Sequence, residues 1–197
     1  MTLTLYYSPG ACSLADHIAL HEAGLDHDTV KVDLKKKITE DGRDYKEINP
    51  KGSVPAIDKD GKIFTENAAL LQMIAEEAGG KMLPASGDAR YRVLEAVAFI
   101  TTEVHKSFSP LFGNGSESDK AEAKKKLDGK FEQMAHMLGD SDYLAGDEFS
   151  IADCYGTVMT LWAKNKGIDR PQSLVAYRDR MFERPSVKAA MKAEGLG

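Results

Sequence analysis

Cysteine is scarce in this chain, whose 197 residues include only Cys12 and Cys154. The two lie far apart and form no CxxC pair, so they cannot build a disulfide framework. A small secreted domain held together by disulfides is therefore excluded. The low cysteine content favours a reducing compartment, and we expect the protein to be cytoplasmic.

Long apolar runs and an excess of positive charge are also missing. No stretch approaches the ~20 apolar residues that span a membrane, and the first residues, MTLTLYYSPGA, lack the pattern of a secretory signal. Lysine and arginine total 26 against 31 aspartate and glutamate, a net charge of −5. We therefore predict neither a membrane nor nucleic acid as a partner.

The first 80 residues alternate between strand and helix patterns. Strands are predicted at Leu3–Tyr7, at Thr29–Val32, in NPKGSVPAI (49–57) and at Lys62–Thr65, and helices at Ser13–Ala23, near Tyr45 and at Glu66–Ala78. A turn at Asp60-Gly61 joins the last two strands as a hairpin. Because strand–helix–strand units are normally parallel and right-handed, we predict a compact α/β domain over residues 1–80.

A Gly-, Pro- and Ser-rich stretch, GGKMLPASGD (79–88), follows this domain, and we place a linker at residues 81–87. Only helix patterns follow: Arg90–Phe112, Asp119–Leu138, Ile151–Lys164 and two shorter segments after Pro171. The predicted fold class is α/β plus all-α, with an all-helical domain over residues 88–197.

The motif YSPGACSL (7–14) puts Cys12 at the start of the first helix. Unpartnered N–H groups and the helix dipole favour negative charge there, which commonly lowers the pKa of a thiol. An inert interpretation is equally open, because a buried free cysteine often serves as a small apolar residue.

Two further motifs favour a peptide-like ligand. In SVPA (53–56), a cis Val54–Pro55 bond turns the backbone of Val54 towards a ligand, although spacing alone favours a plain trans turn. In TENAALL (65–71), Glu66 and Asn67 open a helix whose N–H groups suit a carboxylate, and Glu66 can pair with an amino group. Simple helix capping is the alternative for that pair.

Taken together, YYSPGACSL, NPKGSVPAI and TENAALLQMIAE, followed by EVHKSFSPLF and FSIADCY, resemble the glutathione S-transferase family. The cysteine of the first motif and the histidine of the fourth resemble its bacterial beta class. The resemblance covers nearly the whole chain, to ERPSVKAAMKAEGLG. It implies a thioredoxin-like amino-terminal domain, an all-helical carboxyl-terminal domain, glutathione as co-substrate in the cleft between them, and a homodimer with a detoxifying role.

The resemblance also implies roles for residues of the first domain. Cys12 faces the glutathione sulfur and can form a mixed disulfide with it, while Tyr7 lies near the sulfur as a hydroxyl donor. The N–H groups near Cys12 and Ser13 stabilise the sulfur anion. The remaining contacts are Val54, before a cis Pro55, with the cysteinyl backbone, Glu66 and Asn67 with the γ-glutamyl end, and Lys37 with the glycyl carboxylate.

From the helical domain, the resemblance implies that Glu103 and His105 close over the tripeptide, with Lys106 at the rim. His105 can also donate to sulfur or assist a proton transfer. The sequence departs from the beta class at Ala98, where an asparagine is common, and at Asn67, where serine or glycine is usual. We expect these changes to affect the affinity for glutathione more than the resemblance to the family.

The implied reaction is addition of the glutathione thiolate to an apolar electrophile, which the sequence does not identify. Thiol–disulfide exchange through Cys12 remains open. So do a non-catalytic glutathione-binding or regulatory protein on the same fold, and a glutathione-dependent isomerase or dehalogenase.

Several other features fit structural interpretations. Ser150 and Asp153 have the spacing of a capping box, and Cys154 then lies in the core. His17 and His21 are four residues apart with Glu22 next to them, but without a third ligand nearby or an HExxH order we predict no metal. A separate aromatic set either lines the pocket of an apolar co-substrate or is core: Phe108, Phe112 and Trp162.

Overall fold

A computed structural model describes residues 2–113, 115–168 and 170–196 of the chain. The chain divides into two compact units: unit 1 comprises Met1–Lys81 and Arg184–Gly197, and unit 2 comprises Met82–Glu183. Unit 1 contains a five-stranded sheet with helices, whereas unit 2 is helical. The predicted fold class is therefore confirmed.

The sheet of unit 1 has the strand order β3-β2-β1-β4-β5. The strands are β1 Leu3–Tyr7, β2 Asp28–Asp33, β3 Ile38–Thr39, β4 Ala56–Lys59 and β5 Lys62–Thr65. Strand β1 pairs in parallel with β2 and antiparallel with β4, which pairs antiparallel with β5. Because β1 is central, it is buried along nearly its whole length, which explains its apolar sequence.

The helices, numbered in chain order, follow the predicted pattern closely. They are α1 Leu14–Ala23, α2 Tyr45–Ile48, α3 Asn67–Glu77, α4 Gly87–Phe99, α5 Ser109–Phe112, α6 Glu117–Leu138, α7 Ile151–Lys166, α8 Gln172–Phe182 and α9 Pro185–Ala193. Helix α1 joins β1 to β2 and ends at Gly24, whose φ of 69° closes the helix. The hairpin between β4 and β5 has positive φ at both Asp60 and Gly61, as a two-residue turn requires.

Two elements differ from the prediction. Strand β3 has only two residues, too few for an alternating pattern to mark it. The single helix predicted over Arg90–Phe112 is three segments, because a π-helical segment, Ile100–His105, lies between α4 and α5. A π-helical turn contains one residue more than an α-helical turn, a difference that apolar spacing does not reveal.

The last helix belongs to unit 1, although the sequence analysis assigned residues 88–197 to one helical domain. Helix α9 packs on α1. Arg184 and Ser186 both donate to the Glu22 carboxylate at the end of α1, at 2.6 Å and 2.5 Å. Helical pattern alone does not show which unit a terminal helix packs against.

Helix α7 forms the centre of unit 2, with every residue from Ile151 to Ala163 buried. Its start has the predicted capping box: the Ser150 N–H and hydroxyl both donate to the Asp153 carboxylate at 2.9 Å. Cys154 is fully buried, as expected for a core residue. A search of the described helices finds none with the length and apolar composition of a membrane-spanning segment.

Candidate glutathione site

The loop before α1 holds Cys12 in a compact turn. The Ala11 N–H donates to the Ser8 carbonyl at 3.0 Å, and Gly10 has a φ of 69° that favours glycine. The buried Ser13 hydroxyl accepts from the Ser8 N–H at 3.2 Å and donates to the Ser8 carbonyl. Ser13 therefore fixes the loop through its side chain, a structural role that the motif alone did not reveal.

The Cys12 sulfur lies beside the segment that contains the cis proline. Its thiol donates to the Val54 carbonyl at 3.3 Å, and the Val54–Pro55 bond is cis. The cis bond is what the family resemblance implied, whereas spacing alone favoured trans. Cys12 and Val54, to which the resemblance assigns the sulfur and the cysteinyl backbone of glutathione, thus lie side by side within unit 1.

The pKa of Cys12 is shifted opposite to the expectation from its place at a helix start. The pKa of the thiol is raised from 9.0 to about 12, mainly by burial and also by the carboxylate of Asp16, one turn along α1. The Asn67 amide and the N–H groups of Cys12 and Ser13 lower it, as the helix-start argument predicted, but they do not outweigh burial. Of the two interpretations that the motif left open, the raised pKa favours the neutral, buried thiol.

Asn67 holds the Cys12 loop through its side chain. Its amide Nδ2 donates to the Cys12 carbonyl at 2.9 Å, and the residue is buried. Glu66, just before α3, has a φ of 76° and an exposed carboxylate that pairs with Lys51. Lys51 is a partner that sequence reasoning missed, since the two residues meet only when the β4–β5 hairpin folds.

Lys37 contacts the segment before β4, in which Lys51 also lies. Its ammonium Nζ donates to the Gly52 carbonyl at 2.8 Å. Two cations, Lys37 and Lys51, thus lie at the segment that leads to Ser53 and Val54.

Tyr7 and Tyr45 occupy different surroundings. The Tyr7 ring lies against His17 on α1, with ring centroids 5.7 Å apart, and burial raises its pKa. Its predicted role as a donor to sulfur stays a prediction.

Tyr45, which the sequence analysis did not single out as a site residue, is fully buried and donates to the Ser53 carbonyl at 2.9 Å. Burial raises its pKa to about 12, and Cys12 contributes to that rise.

The site residues predicted from unit 2 lie on or beside the π-helical segment. The Nδ1 atom of His105 shares a hydrogen bond with the buried Tyr155 hydroxyl. Burial lowers the pKa of His105, and the neighbouring Lys106 lowers it further, so the imidazole is neutral at pH 7. The Glu103 carboxylate pairs with Lys130 at 2.8 Å, a partner not foreseen from the sequence.

The three aromatic residues singled out in the sequence, Phe108, Phe112 and Trp162, form a cluster with His105. The ring centroid of Trp162 lies 4.6 Å from that of Phe112, 5.3 Å from that of Phe108 and 5.1 Å from that of His105. Phe108 and Trp162 are buried, whereas Phe112 is 52% exposed. Two members are therefore core, and Phe112 alone of the three predicted aromatics presents a large apolar surface.

Comparison with known proteins agrees with these features. Residues 11–77 match the family described as the glutathione S-transferase amino-terminal domain, and residues 88–185 match the carboxyl-terminal domain. The chain is 40% identical to glutathione S-transferase GstA of Escherichia coli O157:H7, over 98% of this chain and all of that protein.

Two solved structures have nearly the same fold. A sphingomonad glutathione S-transferase complexed with glutathione has a TM-score of 0.93 and 43% identity, over 98% of this chain and 100% of that one. A bacterial beta-class glutathione S-transferase of Sphingomonas chungbukensis has a TM-score of 0.93 and 42% identity, with the same coverage. The chain belongs to the glutathione S-transferase family, and its similarity to the bacterial beta class is confirmed.

Proposed function

We propose that this protein conjugates glutathione to apolar electrophiles, with glutathione as co-substrate and no metal in the transfer step. One observation carries the proposal: the Cys12 sulfur lies 3.3 Å from the carbonyl of Val54, the residue before the cis proline. A tripeptide whose cysteinyl backbone pairs with Val54 brings its own sulfur to Cys12. The similarity to GstA and to a sphingomonad glutathione S-transferase complexed with glutathione supports the same ligand.

The nucleophile in this proposal is the glutathione sulfur. With a pKa of about 12, Cys12 is a neutral thiol near pH 7, and a thiol is a far weaker nucleophile than a thiolate. Cys12 instead has an S–H group to donate. When the glutathione backbone takes over the Val54 carbonyl, that S–H is released to stabilise the glutathione thiolate, with help from the N–H groups of Cys12 and Ser13.

The charged ends of the tripeptide pair with charged and hydrogen-bonding groups of unit 1. Glu66 offers a carboxylate to the γ-glutamyl amino group, and Asn67 offers its backbone N–H to the γ-glutamyl carboxylate. Lys37 offers an ammonium to the glycyl carboxylate. Because Glu66 already pairs with Lys51, a bound amino group joins or displaces that pair.

We assign Glu103, His105 and Lys106 to the same function as further binding or proton-transfer residues. His105 is neutral at pH 7, so it can accept a proton, as a base assisting thiol ionisation must. The exposed face of Phe112 is the candidate contact for an apolar electrophile.

We also propose a cytoplasmic homodimer with a detoxifying role. The dimer is proposed because two-fold dimers are the commonest oligomers. A solution mass of one chain by light scattering contradicts the dimer.

Replacing Cys12 by Ala separates conjugation from disulfide chemistry. Conjugation of a chlorinated nitroaromatic should fall by no more than about tenfold, because one S–H donor contributes only about 0.5–1.5 kcal/mol. Any reduction of a glutathione mixed disulfide by the wild-type protein should disappear in this variant. Cys154→Ala, a buried cysteine remote in sequence, is the matched control and should change neither rate.

Other outcomes point to the alternatives. A loss of conjugation of a thousandfold or more in Cys12→Ala makes Cys12 a covalent participant and overturns the proposed role. If calorimetric titration of the wild-type protein with glutathione gives no heat, and no conjugation is measurable, glutathione is not its ligand. Binding with no turnover of any electrophile favours a non-catalytic or regulatory protein.

A further inference from the structure

Three histidines of unit 1 form a cluster outside the candidate glutathione site. His17 and His21 are one turn apart on α1, and His27 lies in the connection from α1 to β2. One ring nitrogen of each histidine lies within 4.8 Å of one from each of the other two. The His17 and His21 rings stack at 5.1 Å, and His27 stands nearly perpendicular to both at 5.6 Å and 5.2 Å.

The Nδ1 atoms of two of these rings are already hydrogen-bonded. His17 Nδ1 lies 3.0 Å from a Glu194 carboxylate oxygen, and His27 Nδ1 lies 2.8 Å from the Leu25 carbonyl. Both oxygens act as acceptors, so each Nδ1 carries a proton, and in the neutral imidazole Nε2 is then the nitrogen with a lone pair for a metal. This is the arrangement of metal-ligating histidines, which donate their other N–H to a carboxylate or a backbone carbonyl.

The third ring supplies an independent observation. The Nε2 atom of His21 is buried and has no hydrogen-bond partner within the described residues. A buried polar atom without a partner is costly, and it calls for an explanation. A ligand shared with the Nε2 atoms of His17 and His27 provides one.

The groups around the three histidines bear on which ligand the cluster can bind. Glu22, the acidic neighbour that the sequence spacing pointed to, is bonded to Arg184 and Ser186, and so it is already engaged. His17 is buried while His21 and His27 are partly exposed, which leaves the cluster open to solvent on one side.

We propose that His17, His21 and His27 bind one divalent cation of the zinc class through their Nε2 atoms, with water as a fourth ligand. Three imidazoles and a water suit zinc, and the same set accepts cobalt, nickel or copper. The bonds of about 2.0–2.1 Å that zinc forms with histidine require the rings to turn inward from their present spacing. Glu194 is a positioning residue in this site, because it acts through His17. A bound ion ties the α1–β2 connection to α1 and takes no part in the transfer reaction.

The test uses cobalt(II), whose visible spectrum reports coordination number and ligand type, with zinc(II) as the competitor. The full-length wild-type chain should take up one cobalt per chain, without a thiolate charge-transfer band, and zinc should displace it. His21→Gln and His27→Gln should each weaken zinc binding by at least about 100-fold, and Glu194→Gln by about 10–100-fold. His136→Gln, an exposed histidine on α6, is the matched control and should bind like wild type.

Thermal unfolding supplies a second measurement that does not depend on activity. Zinc should raise the Tm of the wild-type protein, because a ligand that binds only the folded state stabilises it, and should not raise that of His27→Gln. The proposal is overturned if the wild-type chain takes up no metal, or if both His21→Gln and His27→Gln retain full affinity. It is equally overturned if Cys12→Ala abolishes uptake, because the metal then sits on a thiol.

Discussion

At the scale of single residues, Cys12 shows how burial competes with a helix start. The N–H groups of Cys12 and Ser13 and the amide of Asn67 lower the pKa of the thiol, yet burial and the Asp16 carboxylate raise it further than they lower it. Removing solvent penalises the charged form of a group, and here that penalty is larger than the gain from three donors. The free protein therefore holds a neutral thiol, whereas position alone left both a thiolate and a neutral thiol open.

This predicts a pH profile for alkylation of Cys12 by iodoacetamide. In the ligand-free protein, the rate should rise about tenfold for each pH unit through pH 9 and reach no plateau below pH 10, since only the thiolate reacts. The free energy of unfolding should also depend on the ionisation of this thiol. The thiol ionises near pH 9 in the unfolded chain and near pH 12 in the folded protein, so its contribution to stability is full below pH 9 and falls as pH rises towards 12.

Mass spectrometry of the Cys12 peptide measures the rate, with buried Cys154 as the internal control that should stay unmodified. A plateau below pH 10 contradicts the raised pKa.

At the scale of elements, α7 is held by its start and by close packing along its length. The capping box fixes the first turn, and Gly156 lets three neighbours approach the helix. A Cβ atom at position 156 would meet Leu144 Cδ1 well inside contact distance and lie 3.0 Å from both Met134 Cε and the Tyr177 hydroxyl. Helix propensity alone favours alanine at such a site, so packing decides the residue.

A matched pair of glycine substitutions tests this. Gly156→Ala should lower the free energy of unfolding by about 1–3 kcal/mol, because overpacking outweighs the gain in propensity. Gly129→Ala, in the exposed middle of α6 with no atom within 4 Å of a new Cβ, should raise it by about 0.5–1 kcal/mol. Urea unfolding followed by circular dichroism measures both changes. Two shifts of the same sign mean that packing does not distinguish the two positions.

At the scale of the whole molecule, the chain returns to its first unit after completing the second. Helix α9 packs on α1, Glu22 accepts from Arg184 and Ser186, and Glu194 accepts from the Gly10 N–H at 2.9 Å. The fully buried carboxylate of Glu194 thus reaches the loop that carries Cys12. The last fourteen residues are part of the unit that contains the candidate glutathione site.

Removing the residues after Glu183 should therefore loosen unit 1 first. Hydrogen exchange should accelerate at the amides of α1, while those of α6 in unit 2 keep their protection, because exchange follows the stability of each local unit. Glu22→Ala, which breaks only the contacts with Arg184 and Ser186, should give a smaller acceleration of the same kind. Unchanged protection of α1 in both variants means that α9 does not stabilise it.

The sequence by itself determined what depends on short stretches of chain. Apolar spacing and turn residues predicted four of the five strands, most helices and the hairpin at Asp60-Gly61, and Ser150 with Asp153 predicted the start of α7. Five motifs, read together, indicated the family, because combinations of motifs are far more specific than any one of them.

Only the tertiary structure decided what depends on groups far apart in the chain. It placed α9 with α1, paired Glu66 with Lys51, raised the pKa of Cys12 and brought His27 to His17 and His21. Each of these outcomes is set by burial or by the distance between side chains from different elements. Local sequence fixes neither quantity, because both exist only once the elements have packed.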